Sequence, residues 1–315
     1  MTNEEIAALF FEDMQQAHQR LLAGGRVVHY TSAEAAARII SGREVWLRNA
    51  LLMNDFSEIQ HGLECLYAGW RSEGGERFKA WLDRALPDLR FELERSFDAD
   101  TEGLRVATFM MSLSEHDDSE DEFGRLSMWR AYGGRCGVAL VLNPTIFTAE
   151  TDELKVYSAP VRYLGVPEFA SWFSDWTAKL IANEARLCAA PPDTLLFLLK
   201  YAFRVFALCT KHPGFSEERE WRIFHSPILD GTSSWLRKDN EIINGVPQEV
   251  VKIALEDNAE KGVHGIDPKA LVNRLIIGPT AHPLPVYHSL HNLLVGAGID
   301  DPQRRLFVSN IPLRD

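Results

Sequence analysis

Five short clusters place polar side chains at strand ends or tight turns, where a ligand can reach them. They are His29-Tyr30-Thr31-Ser32, Met53-Asn54-Asp55-Phe56-Ser57-Glu58, Ser112-Leu113-Ser114, Trp129-x-x-Tyr132 and Glu217-Glu218-Arg219-Glu220-Trp221-Arg222. The last carries the most chemistry. A surface charge run accounts for Glu217 and Arg219. Trp221 and Ile223 mark the following strand as buried on one side, and alternation points Glu220 and Arg222 together to the other face. Glu218 and Glu220 form an E-x-E pair, a spacing that can present two carboxylates to one ligand.

Each remaining cluster admits a structural and a functional reading. Thr31 with Glu34, and Asp55 with Glu58, have the spacing of capping boxes, and turn formation suffices for Asn54. His29 is either a packed core histidine or a donor at the mouth of a sheet, beside the Tyr30 ring. Neighbours on a strand face opposite ways, so both can meet one ligand only if the strand twists or ends there. Ser112 and Ser114 share a face opposite Leu113, as a solvated strand end or as ligand contacts. Trp129 and Tyr132, three apart on an expected helix, share a face that either packs in the core or stacks on a ligand.

The elements that must position these groups follow from periodicity and punctuation. Helical spacing runs from Asn3 to Leu22 and stops at Gly24-Gly25; Arg26 to Tyr30 reads as a strand, and Gly42 stops the next helix. Val45 to Leu47 is a short strand, and a helix runs toward Trp70. Glu76 to Phe97 is helical with an irregularity at Pro87. Arg105 to Ser112 is β-rich, followed by a solvated acidic loop from Glu115 to Glu122. A short helix through Met128, Trp129 and Tyr132 precedes the strand Gly137 to Leu142. Helices are expected over Pro167 to Ala190 and Thr194 to Lys211, and a strand over Trp221 to Phe224. The tail adds strands at Val251 to Leu255, Leu275 to Ile277 and Leu306 to Val308, with a helix near Pro285 to Val295. Short strands separated by irregular helical stretches predict an α+β fold, with a mixed, mostly antiparallel central sheet and helical insertions. One domain is expected over residues 1–315: an N-terminal helix within 1–25, then a core over 26–315 with insertions near 55–97 and 167–211.

Composition narrows the function. With 46% hydrophobic and 25% charged residues the chain has the makings of a packed core. A net charge of −12 disfavours non-specific binding to a phosphate backbone. Cys65, Cys136, Cys188 and Cys209 are scattered without a C-x-x-C pair, which fits thiols in a reducing compartment. No basic start is present at the N-terminus, so a cytoplasmic location is expected. The apolar stretch Thr194 to Cys209 is interrupted by Lys200 and Arg204 and falls short of the ~20 residues that span a bilayer. No membrane association is expected. Glycine-rich nucleotide cradles, H-E-x-x-H and G-x-S-x-G do not occur. His282, His288 and His291 lack a carboxylate at ligand spacing and read as helix surface, and Trp172 with Trp176 reads as core packing. No metal is expected.

Taken in order, His29-Tyr30-Thr31-Ser32, Met53 to Glu58, Ser112-Leu113-Ser114-Glu115, Trp129-x-x-Tyr132-Gly133 and Glu218-x-Glu220-Trp221-Arg222 resemble the domain-of-unknown-function family DUF2971, over Val27 to Thr280. That is a bacterial family grouped with abortive-infection proteins. A more distant similarity is to ADP-ribosyltransferases, which carry a His or Arg on the first core strand, a serine-bearing strand in the middle and a late E-x-E. This similarity implies an ADP-ribosyltransferase-like fold and NAD as the substrate. His29 would contact ADP-ribose, Tyr30 or Trp129 would stack on nicotinamide, and Glu220 would grip a hydroxyl of the nicotinamide ribose. Glu218 would orient or deprotonate a macromolecular acceptor, protein or nucleic acid. Thr31, Asn54, Ser112, Ser114, Tyr132 and Arg222 would complete the ligand contacts. A toxin or antiphage effector is the implied role. Two features depart from the pattern: Ser-Leu-Ser replaces Ser-Thr-Ser, and a His start is combined with an E-x-E end. Two alternatives stand beside this reading. One is a non-catalytic nucleotide sensor or interaction module. The other is a metal-dependent phosphoester or nucleic-acid hydrolase using Asp55, Glu58, Asp117 and Asp118.

Overall fold

The computed structural model describes residues 3–53, 57–149, 151–243 and 245–312, leaving aside the side chains of Asn3, Glu4, Ser57 and Glu58. Asn54 and Asp55, and the side chain of Glu58, therefore lie outside the described residues. Twelve strands are present among those described: β1 Arg26–Ser32, β2 Glu44–Asn49, β3 Phe109–His116, β4 Gly137–Leu142, β5 Tyr157–Pro160, β6 Arg162–Tyr163, β7 Thr210–Lys211, β8 Glu220–His225, β9 Leu236–Ile243, β10 Val246–Ala254, β11 Val272–Ile277 and β12 Leu306–Val308. Ten of them form one sheet in the order β12-β11-β4-β1-β3-β2-β10-β9, with β8 paired to β3 and β5 paired to β8. Within it only β11 and β12 run parallel. The fold is thus α+β with a mixed, mostly antiparallel sheet, as the sequence pattern predicts.

Alternation along the central strands sorts side chains into two layers. Phe109, Met111 and Leu113 of β3 point to a core shared with Val27, Leu140, Trp221 and Leu275. Met110 and Phe224 point the other way, into a helical layer built by the helices Ser57–Arg71, Glu73–Ala85, Leu89–Val106, Val166–Ala182 and Pro192–Leu208. On that same face, Val28, Tyr30, Ala139 and Ile276 form a separate small cluster with Trp129. Two apolar patches thus flank a polar gap on one face of the sheet.

The gap coincides with a split in the sheet. On one side of β3, Asn49 and Arg48 of β2 pair with Phe109 and Met110, while Val28, Val27 and Arg26 of β1 pair with Ser114, Glu115 and His116. Between those registers β3 has no strand partner on that side among the described residues. Beyond Val28, β1 turns away with β4; ahead of Arg48, β2 turns away with β10. The helix Ala33–Gly42 joins β1 to β2 and borders the opening with Glu34, Ala35 and Arg38.

Several boundaries differ from the sequence expectation, each for a packing reason. The first helix is two, Asn3–Phe10 and Glu12–Leu22, because Phe11 leaves helical geometry (φ −130°, ψ 41°) and both Phe10 and Phe11 are buried. The β-rich run expected at Arg105 to Ser112 is the end of a helix plus a strand shifted toward the C-terminus. Leu104 packs in the helical layer, and the strand alternates from Phe109 to His116. The helix expected to reach Lys211 ends at Leu208, so Thr210 and Lys211 pair with β6 instead. The hairpin β9–β10 was not legible, since β9 (LRKDNEII) is largely solvent-facing and has no apolar run. Thr31 is no helix cap: β1 continues through Ser32, whose hydroxyl accepts from Ala35 N–H at 3.1 Å. The acidic loop is more than a solvated face. Asp117 and Glu120 pair with Arg219, Asp118 and Asp121 with Arg26, and Asp121 also with Arg274. No described helix is long and apolar enough to cross a membrane.

Candidate functional site

A cavity of about 660 Å³ opens at the split. Its floor is Ser112, its β1 wall runs from Val28 to Ser32, and its β2 wall carries Glu44, Trp46 and Arg48. Tyr132, Lys211, Glu218 and Glu220 close one end.

The split resolves how His29 and Tyr30 meet one cavity although they face opposite sides of a strand. The sheet parts just past Val28, so side chains on both faces of β1 border the opening. His29 Nδ1 lies 3.2 Å from the carbonyl oxygen of Ser112, a backbone group that the split leaves without a strand partner on that side. A carbonyl only accepts, so Nδ1 carries the proton. Burial pushes the His29 pKa down to about 4, against a smaller opposing contribution from the Ser112 bond. The ring is therefore neutral near pH 7, with the Nε2 lone pair available as an acceptor.

Ser112 and Ser114 share the cavity face of β3, opposite Leu113, and Ser112 faces Arg222 and Ser114 faces Glu220 in the adjoining β8. Ser112 Oγ donates to Glu220 Oε1 at 2.5 Å. The same oxygen accepts from Arg222 Nε at 2.9 Å, and Arg222 Nη2 stands 2.8 Å away. Lys211 Nζ lies 3.4 Å from Glu220 Oε2 and 2.7 Å from Glu218 Oε2. Burial alone pushes the Glu220 carboxyl up. The Arg222 and Lys211 charges, with the Ser112 and Arg222 hydrogen bonds, outweigh it and hold the group below its ordinary range. Glu220 is an ionised, buried carboxylate in a fixed orientation, and its backbone N–H donates to Tyr163 Oη at 2.6 Å.

Glu218 stands nearer the opening, its side chain 17% exposed. Its Oε1 accepts from Tyr132 Oη at 3.1 Å. Burial first, then the Glu218 charge, raises the Tyr132 pKa, so the phenol keeps its proton and donates. The E-x-E pair thus presents two unequal carboxylates, one locked and one half-open.

Of the residues singled out from sequence, His29, Tyr30, Thr31, Ser112, Ser114, Tyr132, Glu218 and Glu220 all border the cavity. Arg222 is fully buried behind Glu220, where its Nη1 also donates to Leu208 O; it orients the carboxylate. Trp129 is away from the wall. Its indole N–H donates to Phe123 O at 2.8 Å and its ring meets the edge of Tyr30. Close approach by Gly124 and Gly278, where a Cβ would come within 2.7 Å of that ring, seals it into the core. Asp117 and Asp118 are engaged by arginines, and no group of three metal-ligating side chains occurs among the described residues. Lys211, Tyr163, Trp46 and Arg48 escaped sequence reasoning. Lys211 was hidden at an apparent helix end, and the others carry no motif.

A split, mostly antiparallel α+β sheet with a polar cleft at the split defines the kind of protein this is. Within that class, residues 128–223 match the model of a family described as a protein of unknown function, DUF2971. The resemblance therefore holds over the stretch that supplies Tyr132, Lys211, Glu218, Glu220 and Arg222. No curated protein and no solved structure matches the chain.

Proposed function

We propose that the cleft binds NAD and that the protein is an ADP-ribosyltransferase or NAD glycohydrolase. One observation carries this reading: His29, Ser112 and Glu220, three of the positions singled out by the similarity to ADP-ribosyltransferases, meet in one cleft through bonds of 3.2 and 2.5 Å. In this chemistry the bond from ribose C1′ to nicotinamide nitrogen breaks, and nicotinamide leaves as a neutral molecule with the bonding pair. Positive charge develops on the ribose, and a fixed carboxylate gripping a ribose hydroxyl stabilises it. Glu220 is pre-oriented for that task, and Oε2, with Lys211 at 3.4 Å, keeps lone-pair capacity for a hydroxyl. Neutral His29 offers Nε2 to a second hydroxyl. The half-open Glu218 takes the proton from the incoming nucleophile, which is water or a group on a protein or nucleic acid. No metal takes part in these steps. Consumption of NAD, or modification of a macromolecule, in the cytoplasm fits a toxin or antiphage effector.

The Arg222–Glu220 ion pair favours a second reading, a nucleotide-sensing module, because it neutralises much of the charge that catalysis would use. Incubation with NAD separates the two. The enzyme releases nicotinamide, chromatography detects it, and Glu220→Ala abolishes release in a folded protein. Saturable NAD binding with no nicotinamide released, whichever acceptor is added, would leave the sensor.

A further inference from the structure

The β2 wall of the cavity carries a cation that no carboxylate among the described residues neutralises. Arg48 sits half-buried on the cavity face of β2, where its Nε donates to Gln248 Oε1 at 3.1 Å and its Nη2 to Leu52 O at 2.8 Å. Both acceptors are uncharged, and no carboxylate lies within ion-pairing distance among the described residues. Glu44 has Lys252 and Arg237, and Lys252 in turn has Asp239 and Glu241. In a chain with 45 acids against 33 lysines and arginines, an arginine that borders a cavity without an acid is unusual. Burial lowers its pKa, the sign of a charge that lacks compensation.

The two neutral acceptors fix the plane of the guanidinium, and Nη1 has no hydrogen-bond partner among the described residues. Such a fork is pre-organised for an oxyanion with several acceptor oxygens, and little freedom is lost on binding. Beside it, the Trp46 ring borders the cavity, with Arg38 5.0 Å and Lys252 4.6 Å from its centroid, and each of those cations has carboxylate partners of its own. The Glu218–Glu220 end instead offers carboxylate oxygens that can accept from hydroxyls, with Lys211 and Arg222 balancing their charge. A ligand lying in the cavity would therefore place a sugar near the carboxylates and an anionic group near Arg48.

We infer that Arg48 is the phosphate-binding residue of this cavity, and that its ligand is a phosphorylated nucleotide whose phosphate or pyrophosphate lies against the β2 wall. This rests on the NAD reading only for the rest of the ligand. The recognition of phosphate stands on Arg48.

Calorimetry on the full chain tests it with three probes: ADP-ribose, inorganic pyrophosphate and phosphate-free adenosine. Loss of a charge-assisted bond predicts that Arg48→Met weakens ADP-ribose and pyrophosphate about ten- to hundred-fold. Adenosine binding should not change. Arg48→Lys keeps the charge but cannot satisfy both fixed acceptors and a phosphate, and it should lose about three- to ten-fold. Melting curves without ligand report whether each variant is folded, and the Lys variant decides if the Met variant is not. Pyrophosphate binding that depends on Arg48, in a protein that releases no nicotinamide, would uphold the subsite and remove the NAD chemistry. Equal binding by wild type and folded variants, or no binding of either phosphorylated probe to wild type, overturns the inference.

Discussion

Changing Glu220 to Gln preserves shape while removing one charge from the centre of the site. Arg222, with no exposed surface, and Lys211, at 2%, then lose a negative partner in a buried setting. Removing one member of a buried pair costs about 3–5 kcal/mol. Two features move this case to the lower end: the amide oxygen still accepts from Arg222, and Lys211 keeps Glu218 at 2.7 Å. A loss of about 3 kcal/mol is expected. Unfolding entropy of about 2.1 cal/mol/K per residue gives roughly 0.66 kcal/mol/K for a chain of this length, so Tm should fall by about 5 °C at pH 7. The pH dependence sharpens the test. The folded carboxyl is held below its ordinary 4.5, because Arg222 and Lys211 outweigh the opposing cost of burial. A depressed carboxylate stabilises the fold in full above its unfolded pKa, and that contribution is lost as pH falls through the folded value. The gap between wild type and Glu220→Gln should therefore be widest near neutrality and close below pH 4.5. Calorimetric scans of both proteins from pH 7 downward measure it. An unchanged Tm at pH 7, or a gap that does not narrow in acid, would refute the account of Glu220 as an ion-paired carboxylate.

Three further outcomes follow from other parts of the molecule. Asp230→Ala strands the buried Arg204, which now donates to Asp230 Oδ2 at 2.7 Å, and should lower the unfolding free energy by about 3–5 kcal/mol in urea titrations; an unchanged midpoint contradicts this. Gly62→Ala would place a Cβ 2.0 Å from the backbone oxygen of Ala207, where the helices Ser57–Arg71 and Pro192–Leu208 cross, so the variant should fail to melt cooperatively or melt far below wild type. A wild-type melting curve would show that the helices separate freely. His29 should resist protonation until about pH 4 by NMR, because burial lowers its pKa from 6.5. Since the unfolded chain takes that proton first, stability should decline as pH falls from about 6.5 toward 4. His29→Gln should flatten that slope, and a ring that titrates near its ordinary value would contradict the burial.

Much of the fold was legible because local rules and burial agree. The strand Leu306–Val308 and the strand Gly137–Leu142 stand where the apolar runs put them. Pro87 breaks the long helical stretch, as a residue without an N–H must. Legibility failed where two states shared one pattern. Arg105 to Ser112 is apolar enough for a strand throughout, yet the packing of Leu104 in the helical layer keeps Arg105 and Val106 in the helix. Trp129 and Tyr132 share a helix, but glycine contacts bury the first while the second reaches Glu218.

The sequence by itself determined which groups could do chemistry and which faces they took. Alternation set Ser112 with Ser114 and Glu220 with Arg222, since successive residues of a strand point oppositely whatever surrounds them. Pairing register was beyond its reach. That Ser112 faces Arg222 across β3 and β8, that the sheet parts between Val28 and Arg48, and that Lys211 reaches both carboxylates depend on contacts between residues 7 to 110 positions apart. Only the packing of the two layers decides those contacts, and with them the cleft, the neutral His29 and an Arg48 with no carboxylate partner among the described residues.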